Sequence, residues 1–264
     1  FNQDKDYDGH NDGMDPKVYW AWMTKILKNI FVNTSQGGAI YFMQREKNVK
    51  YVLDALENAG WYYQNLIVWK KKTSAVPGAY RFGKHYQIIA FCTKGKRPRV
   101  FNKLRIDPPL APNEKVPRKS GVFVTDVWND IRELTSGYYA GDEALRNTDG
   151  SRFHKQQAPN KLLLRIILSS SIVNDLVFDP FAGTGTTLVV AKQLNRRILG
   201  LDINRTNVEL MMSRLQSIRN ADGISKLRQG YCFTEELDSI WPAPSEQLSS
   251  NNDMIIAENL SLFK

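Results

Sequence analysis

A glycine-containing segment between two apolar runs constrains the fold of this 264-residue chain more than any other feature. Residues 179–187 read Asp-Pro-Phe-Ala-Gly-Thr-Gly-Thr-Thr, the apolar run 176–178 precedes them, and a helix-like run continues over 188–194. Glycine allows tight turns and a close approach of backbone to a ligand, and the first turn of a helix offers unpaired N–H groups. The pattern predicts a strand, a glycine turn and a helix start, which form a pocket at the carboxyl edge of a sheet.

An acidic residue follows the next predicted strand at a spacing that suits ribose binding. The apolar run 197–201 leads into Asp202, roughly twenty residues after the glycine turn, where a carboxylate is placed to accept hydrogen bonds from ribose hydroxyls. Leu188 stands where the third glycine of a dinucleotide-binding fingerprint is expected. The pattern therefore favours an adenosyl cofactor without a pyrophosphate. A lone Gly-x-Gly, by contrast, is equally typical of an ordinary strand–helix turn.

As a whole, residues 179–187 resemble the cofactor loop of the S-adenosylmethionine-dependent amino-methyltransferases of DNA, which reads Asp-Pro-Phe-x-Gly-Ser/Thr-Gly-Thr-Thr. These enzymes methylate adenine N6 or cytosine N4. The resemblance implies S-adenosylmethionine as the cofactor, with its ribose on Asp202 and its methionine and adenosine portions on the loop. The residues implicated are Asp179, Pro180, Phe181, Ala182, Gly183, Thr184, Gly185, Thr186 and Thr187, with Asn204 as a further candidate.

A second segment, residues 154–159, is similar to one that the family usually writes His-Pro-Thr-Gln-Lys-Pro. In the family this segment opens a helix, here predicted over 160–170, and helps to hold the methionine end of the cofactor. His154, Gln157 and Pro159 match the family's residues, and we expect them to contribute to the cofactor site. The other three positions differ, and the missing lysine is expected to alter how the cofactor carboxylate is bound.

The first residues of the chain resemble the stretch that comes after the family's catalytic motif, Asp-Pro-Pro-Tyr/Phe. Phe1, Asn2 and Tyr7 match the positions after the second proline, and we infer that Asp-Pro-Pro, or alternatively Ser-Pro-Pro, precedes Phe1. The resemblance implies that Phe1, with Asn2 beside it, is the aromatic that stacks on an extruded base. The acidic or hydroxyl side chain and a proline carbonyl would accept the two N–H groups of the target amine.

Residues 254–264 resemble the way in which members of the family begin, with an apolar strand and a short helix. Glu258 takes the place of the family's aspartate there and is a further cofactor-binding candidate. We hypothesise that the sequence is circularly displaced, with a short segment absent between Lys264 and Phe1. A permuted gene, an incomplete sequence or a neighbouring repeat would each produce this order. The alternative is an amphipathic helix at the end of the chain.

Positive charge is concentrated in one part of the chain. The net charge is +9, yet residues 70–119 hold fourteen Lys or Arg against two acids, so the remainder is net negative. A surface that binds a polyanion is favoured over a solvated basic face. The basic stretch lacks the aromatic interleaving of a single-strand stacking platform, which favours duplex DNA with a flipped base. The predicted DNA contacts are Lys70, Lys71, Lys72, Arg81, Lys84, Lys96, Arg97, Arg99, Lys103 and Arg105.

Predicted helices alternate with apolar strands along the chain. An amphipathic helix over 16–31, with Asp15 as N-cap and Pro16 in its first turn, is followed by a strand at 39–43. Further predicted elements are helices at 46–58 and 208–218 and strands at 65–69, 86–91 and 122–128, the last packing Trp128. Alternation of this kind indicates a doubly wound α/β sheet. The resemblance implies the mostly parallel, seven-stranded, Rossmann-like form with an inserted DNA-recognition segment.

The predicted organisation has five parts, and it follows the order of the family's beta class. They are a catalytic half (1–92), a DNA-recognition insert and connector (93–152), a cofactor-binding half (153–222), a surface excursion (223–253) and the strand–helix segment (254–264). No apolar run is long enough to span a bilayer, and no signal peptide is visible. Cys92 and Cys232 are expected to be buried thiols in a reducing compartment, and three scattered histidines make a zinc site improbable.

These features predict a DNA methyltransferase that acts on adenine N6 in duplex DNA by base flipping. An N4-cytosine enzyme is the first alternative, and an inactive DNA-binding relative is the second; an RNA methyltransferase is the weakest. The expected partners are double-stranded DNA, a second copy of the chain in a homodimer, and a cognate restriction endonuclease. The expected location is the prokaryotic or phage-infected cytoplasm, on the nucleoid. A chain that truly lacks Asp-Pro-Pro is expected to be inactive on its own.

Overall fold

Both helices and strands occur in the part of the chain that the computed structural model describes, namely residues 14–73, 76–107, 119–134, 141–153, 157–242 and the backbone of 254–257. The α/β class predicted from the sequence is confirmed. The helices are α1 (Pro16–Asn33), α2 (Val49–Asn58), α3 (Asn160–Ser170), α4 (Thr186–Gln193), α5 (Arg205–Gln216) and α6 (Leu237–Ile240). The strands are β1 (Ala39–Arg45), β2 (Tyr62–Lys70), β3 (Tyr86–Thr93), β4 (Arg105–Ile106), β5 (Val122–Phe123), β6 (Val127–Trp128), β7 (Leu176–Asp179), β8 (Arg197–Leu201) and β9 (Met254–Ala257).

The chain divides into two compact units. The first contains the described residues up to Val100 together with Asp126–Asn129, and the second contains those of Phe101–Thr125 and Asp130–Asn259. The predicted boundary at residue 92 therefore lies close to the end of the first unit's main segment. The predicted insert at 93–152 is not a unit of its own in this division, and its role in recognition stays a prediction.

The first unit is built on a four-stranded sheet of order β1-β3-β2-β6. β3 runs antiparallel to both β1 and β2, so that Ile89 lies opposite Met43 on one side and Ile67 on the other, whereas β6 is parallel to β2. A mostly parallel sheet is therefore wrong for this unit. The antiparallel pairing of β2 and β3 follows from their connection, whose described residues contain no crossover helix of the kind that parallel neighbours need.

Helix α1 begins and ends through side chains that satisfy its free backbone groups. The Asp15 carboxylate accepts a hydrogen bond from Lys17 N at 2.8 Å, as the predicted N-cap requires. At the other end, the Lys94 ammonium donates to the carbonyl oxygens of Phe31, Val32 and Thr34 at 2.8, 3.2 and 2.7 Å. A cation at a helix C-terminus is stabilising. Lys94 is thus one basic residue of the 70–119 stretch whose charge serves the fold.

The second unit contains a parallel sheet of order β7-β8-β9. Asp179 pairs with Gly200 and Leu201 with Ala257, so the carboxyl ends of the strands lie at one edge. The strand predicted at the start of segment 254–264 is confirmed. Helices α3, α4 and α5 supply a buried cluster that includes Leu168, Leu188 and Met211.

A buried ion pair anchors α3 in the second unit. Arg165 is 1% exposed and donates two hydrogen bonds to the Asp130 carboxylate at 2.7 and 2.6 Å. Its Nε donates to the Tyr231 hydroxyl at 3.2 Å, and the Lys161 ammonium lies 2.9 Å from the same carboxylate. Burial alone would raise the pKa of Asp130, but the two cations outweigh burial and lower it to about 2.

Several expectations need correction. Among the described residues the strands form sheets of four, three and two members, so a single seven-stranded sheet is not confirmed. Residues 122–128 form two short strands rather than one, although Trp128 is buried as expected. The surface excursion predicted from residue 223 is wrong for Tyr231 and Trp241, which are 1% and 3% exposed and meet edge to face at 6.2 Å. Their rings belong to the apolar core, which local periodicity does not reveal.

The two cysteines lie in different environments. Cys92 is buried in β3, and burial raises the pKa of its thiol to about 11. Cys232 is exposed, so the expectation of two buried thiols is wrong for it. No helix within the described ranges is both long enough and apolar enough to cross a membrane.

Candidate cofactor-binding site

The predicted strand, glycine turn and helix start are present at the edge of the β7-β8-β9 sheet. β7 ends at Asp179, the turn comes next, and α4 begins at Thr186. Ala182 N donates to Leu201 O at 2.9 Å, and Gly183 N donates to Asp202 Oδ2 at 2.8 Å. The turn is therefore closed onto the end of the neighbouring strand. The structure brings together the two features, the loop 179–187 and Asp202, from which a cofactor site was predicted.

Asp179 shapes the loop from within. Its Oδ1 accepts a hydrogen bond from Phe181 N at 3.0 Å, and its Oδ2 accepts one from Thr187 Oγ1 at 2.6 Å. Burial and the nearby charge of Asp202 raise the pKa of Asp179, while the two donors act in the opposite direction. Both carboxylate oxygens have partners inside the loop, which indicates that Asp179 sets the loop conformation.

The two glycines of the turn serve different purposes. Both have positive φ, +53° at Gly183 and +79° at Gly185. A Cβ atom at Gly185 would lie 2.4 Å from Met211 Cγ, so packing between α4 and α5 requires glycine there. A Cβ atom at Gly183 would meet nothing within 4 Å. The space beside Gly183 is open, as it must be for a ligand to approach the backbone.

Asp202 has most of its acceptor capacity occupied. It is 9% exposed, and besides Gly183 N it accepts hydrogen bonds from Asn204 N at 2.9 Å and Asn207 Nδ2 at 3.1 Å. A carboxylate has about four acceptor directions, so about one is left for a ribose hydroxyl. Asn204 itself caps α5, because its side chain accepts from Asn207 N at 3.2 Å. Cofactor contact by the Asn204 side chain stays a prediction.

Arg214 supports the turn, and no sequence pattern indicated it. This α5 side chain is 2% exposed, and its Nη1 donates to Thr184 O at 2.5 Å and to Thr186 Oγ1 at 3.2 Å. Its Nη2 lies 3.0 Å from the fully buried Asp222 carboxylate, which also pairs with Arg219. Burial alone would raise the pKa of Asp222, but the two guanidiniums outweigh burial and lower it. Sequence patterns are recognised over short windows, so a contact between an arginine and a loop some thirty residues away could not be predicted from the sequence.

The segment that precedes α3 is tied to Glu143. Gln157 accepts from Leu145 N at 2.9 Å and donates to Glu143 O at 3.0 Å, and Asn160 N donates to the Glu143 carboxylate at 2.5 Å. Pro159 is the extended residue before the helix. Burial and the nearby Asp222 raise the pKa of Glu143. Gln157 and Pro159 thus build the segment, and their contact with a cofactor stays a prediction.

One buried atom near this segment has no hydrogen-bond partner within the described part of the chain. Asn160 is 3% exposed, and its Oδ1 accepts no hydrogen bond from the described residues. A buried acceptor of this kind is costly unless a donor reaches it, and the ammonium of an amino-acid moiety is such a donor. The chemistry of this acceptor and the open space beside Gly183 each suit an adenosyl amino-acid cofactor.

Four predicted site residues lie outside the described residues. They are Phe1 and Asn2, expected to be catalytic, and His154 and Glu258, expected to bind the cofactor. Phe181 in the loop is 45% exposed, whereas Ala182, Thr184 and Thr186 are buried.

The predicted DNA-binding residues differ in how far their charges are available. In the first unit Lys70, Lys72, Arg81, Lys96, Arg97 and Arg99 are exposed. Lys71 Nζ lies 5.5 Å from the Trp69 ring centre, and Lys84 pairs with Glu46 at 2.8 Å. In the second unit Lys103 is exposed, but the Arg105 guanidinium lies 3.9 Å over the Phe123 ring and donates to Ser120 O at 3.0 Å. The Arg105 guanidinium is therefore engaged by residues of the second unit.

The family model and the relatives that match this chain are all methylases or methyltransferases. The family model N6_N4_Mtase, which describes DNA methylases, matches residues 1–213. The chain is 28% identical over 218 residues to the type II methyltransferase M.HinfI of Haemophilus influenzae and 29% identical over 218 residues to M.HpaI of Haemophilus parainfluenzae. Both alignments cover 82% of this chain, which spans 56% and 66% of the lengths of these relatives.

A solved structure shares the fold. The M1.HpyAVI–SAM complex aligns with 76% of this chain and 85% of its own, with a TM-score of 0.53 and 23% identity. This likeness supports the Rossmann-like α/β architecture that the sequence predicted.

Proposed function

This chain belongs to the N6_N4_Mtase family of DNA methylases, and we propose that it transfers a methyl group from S-adenosylmethionine to the exocyclic N6 of adenine in double-stranded DNA. The target base is turned out of the duplex for the reaction. S-adenosylmethionine is the cofactor of the family. The chain matches only part of its relatives' length, so activity, substrate and partners are all part of this proposal.

One observation carries the proposal: the loop 179–187 is closed onto Asp202 by the Gly183 hydrogen bond of 2.8 Å, with open space beside Gly183. We assign the ribose to Asp202 and the adenosine and methionine portions to the loop backbone. Asn160 Oδ1, buried and unpaired among the described residues, is assigned to the methionine ammonium. His154, Gln157, Pro159, Asn204 and Glu258 remain proposed contributors on the strength of the family resemblance.

The chemistry that remains for the protein is positioning. When bound, S-adenosylmethionine supplies a methyl group that its sulfonium centre has already activated. The exocyclic amine of adenine is a poor nucleophile, because its lone pair is delocalised into the ring. Acceptors for its two N–H groups and a stacking partner for the base favour a reactive geometry. On the strength of the family resemblance, we assign the stacking to Phe1, with Asn2 beside it.

Duplex DNA is the proposed partner because the exposed basic residues of the first unit form a suitable polyanion-binding set. Adenine is favoured over cytosine by the resemblance of Phe1-Asn2 to the residues that follow the catalytic motif in the family's adenine enzymes. The names of the relatives, as type II methyltransferases, support a role beside a restriction endonuclease in a prokaryotic cytoplasm. A homodimer remains part of the proposal.

Nucleoside mass spectrometry tests this function directly. Unmethylated bacterial DNA would be incubated with the chain and S-adenosylmethionine, digested and analysed. We expect N6-methyladenine. N4-methylcytosine would instead move the assignment to the alternative base. If calorimetry shows that the chain binds S-adenosylmethionine and yet neither methylated nucleoside appears, the chain is not an active enzyme on its own, and the proposal fails for it.

A further inference from the structure

The loop between β2 and β3 carries the most exposed large apolar side chains of the described structure. Val76, Tyr80 and Phe82 have exposed fractions of 90%, 101% and 96%, and the next value among large apolar residues, at Val32, is 66%. Single exposed apolar residues are normal on protein surfaces. Three within seven positions, each almost wholly in water, call for a specific explanation.

Hydrogen bonds hold part of this loop in a defined shape. Gly78 N donates to Arg81 O at 3.1 Å, and the two residues form an antiparallel bridge that closes a tight turn. Nearer the strands, Lys71 N donates to His85 O at 2.9 Å. Tyr80 lies within the turn and Phe82 follows it directly. Residues 78–82, named here the aromatic turn, therefore present two aromatic rings from a backbone that is held by its own hydrogen bonds.

The segment around the aromatic turn contributes only positive charges of its own, and one of them, Lys84, is paired with Glu46. Residues 70–86 contain five Lys or Arg and no Asp or Glu. Arg81 stands between the two aromatic residues and is exposed like them. The expectation that aromatic and basic residues do not interleave in the basic stretch is therefore wrong at this point. Aromatic faces next to exposed basic side chains form the combination that binds unpaired bases together with their phosphates.

We propose that Tyr80 and Phe82 stack on bases at a gap in duplex DNA, while Arg81 and the neighbouring lysines contact the flanking phosphates. This inference rests on the proposed function for its DNA substrate. In a fully paired duplex each base face is covered by its neighbours, so an aromatic ring finds a stacking surface only where a base is missing or turned out. A ring that fills the gap offsets part of the cost of unstacking.

The test is a comparison of two labelled duplexes that differ at one position. Fluorescence anisotropy would measure the affinity for a fluorescein-labelled duplex with one abasic site and for the same duplex fully paired. We expect the unsubstituted chain to prefer the abasic duplex. The double substitution Tyr80→Ala and Phe82→Ala should lower affinity for the abasic duplex by about tenfold, and leave the paired duplex within about twofold. Tyr80→Phe keeps the ring and should keep the preference.

A matched control and the opposite outcomes complete the design. Tyr63, in β2, is 51% exposed and lies outside the loop, so Tyr63→Ala should leave both affinities unchanged. Equal losses for both duplexes, no loss for either, or no preference in the unsubstituted chain would each overturn the stacking proposal. Absence of methylated nucleosides with the abasic preference intact would count against the proposed function alone. No DNA binding at all by the unsubstituted chain would overturn both.

Discussion

Gly183 donates its backbone N–H to the Asp202 carboxylate over 2.8 Å, which joins the turn after β7 to the residue that follows β8. A residue with a positive φ, of +53°, and a buried acid thereby hold each other in place. The turn is set by its contact with the acid, and the acid is oriented by the turn. A change at either residue should therefore affect the other.

Substitution of Gly183 should harm cofactor binding as well as stability. Gly183→Ala forces a side chain into a left-handed conformation, at a cost of about 1–2 kcal/mol, and places a methyl group in the open space beside the loop. We expect the affinity for S-adenosylmethionine, measured by calorimetry, to fall by about tenfold. Gly141 has a φ of +58° and equally open surroundings, so Gly141→Ala is the matched control. Equal cofactor affinities in the two variants would contradict the assignment.

Arg214 should be irreplaceable by lysine. Its guanidinium reaches Thr184 O, Thr186 Oγ1 and the Asp222 carboxylate at once, whereas a single ammonium cannot serve all three. Arg214→Lys is expected to lower the free energy of unfolding by about 2–3 kcal/mol and to weaken cofactor binding at temperatures where the variant is fully folded. Arg205→Lys, at an exposed position of the same helix paired with Glu209, should change the free energy of unfolding by less than about 0.5 kcal/mol. Unaltered cofactor affinity in Arg214→Lys would show that Arg214 serves stability only.

Acid should remove the contribution of the Asp130–Arg165 ion pair to the free energy of unfolding. The pKa of Asp130 falls from 3.8 to about 2 on folding, so its ionisation favours the folded chain fully above about pH 4. The contribution, about 2 kcal/mol, is lost as the pH drops from 3.8 towards 2. Asp130→Asn should be less stable than the unsubstituted chain at pH 7, and the gap in the free energy of unfolding should narrow by about this amount once the pH reaches about 2. Urea titrations across this pH range would measure the difference in the free energy of unfolding between the two proteins. A difference that is independent of pH would show that the neighbouring cations do not lower the pKa of Asp130.

Two arginines predicted to bind DNA should behave differently. Arg97 is exposed in the first unit, so Arg97→Ala should reduce the slope of log affinity against log salt by about 0.9. Arg105 is held over Phe123, so Arg105→Ala should leave that slope unchanged and instead lower the thermal midpoint. Binding to a random-sequence duplex at several salt concentrations would separate the two. A smaller salt-dependence slope in Arg105→Ala would instead indicate that Arg105 contacts a DNA phosphate.

Local sequence patterns predicted most helices and strands and the glycine turn after β7, because helix caps, turns and apolar periodicity each depend on a few neighbouring residues. Asp15 caps α1 and the Asp179 segment joins β7 to α4 as expected. The direction of β3 was not predictable in the same way, since a buried strand has the same apolar pattern whether its neighbours are parallel or antiparallel. The strand order also depends on pairing across long stretches of chain.

The supporting residues of the site were not predictable for a related reason. Arg214 reaches the turn from a helix that starts some twenty residues later, and Asp222 becomes significant only because two guanidiniums meet on it. Arg105 and Lys94 look like their exposed neighbours in the sequence, yet one lies over a ring and the other caps a helix. Charge counts show that a basic surface exists, and only the fold shows which charges are free to use.

The parallel sheet of the second unit also has a consequence for the order in which the protein is made. β8 pairs with β7, to which it is connected through the glycine turn and α4, and with β9, which the ribosome adds some fifty residues later. During synthesis one side of β8 therefore carries free N–H and C=O groups until β9 arrives. The strand that leads into Asp202 therefore gains its second neighbour only after residues 254–257 have been added.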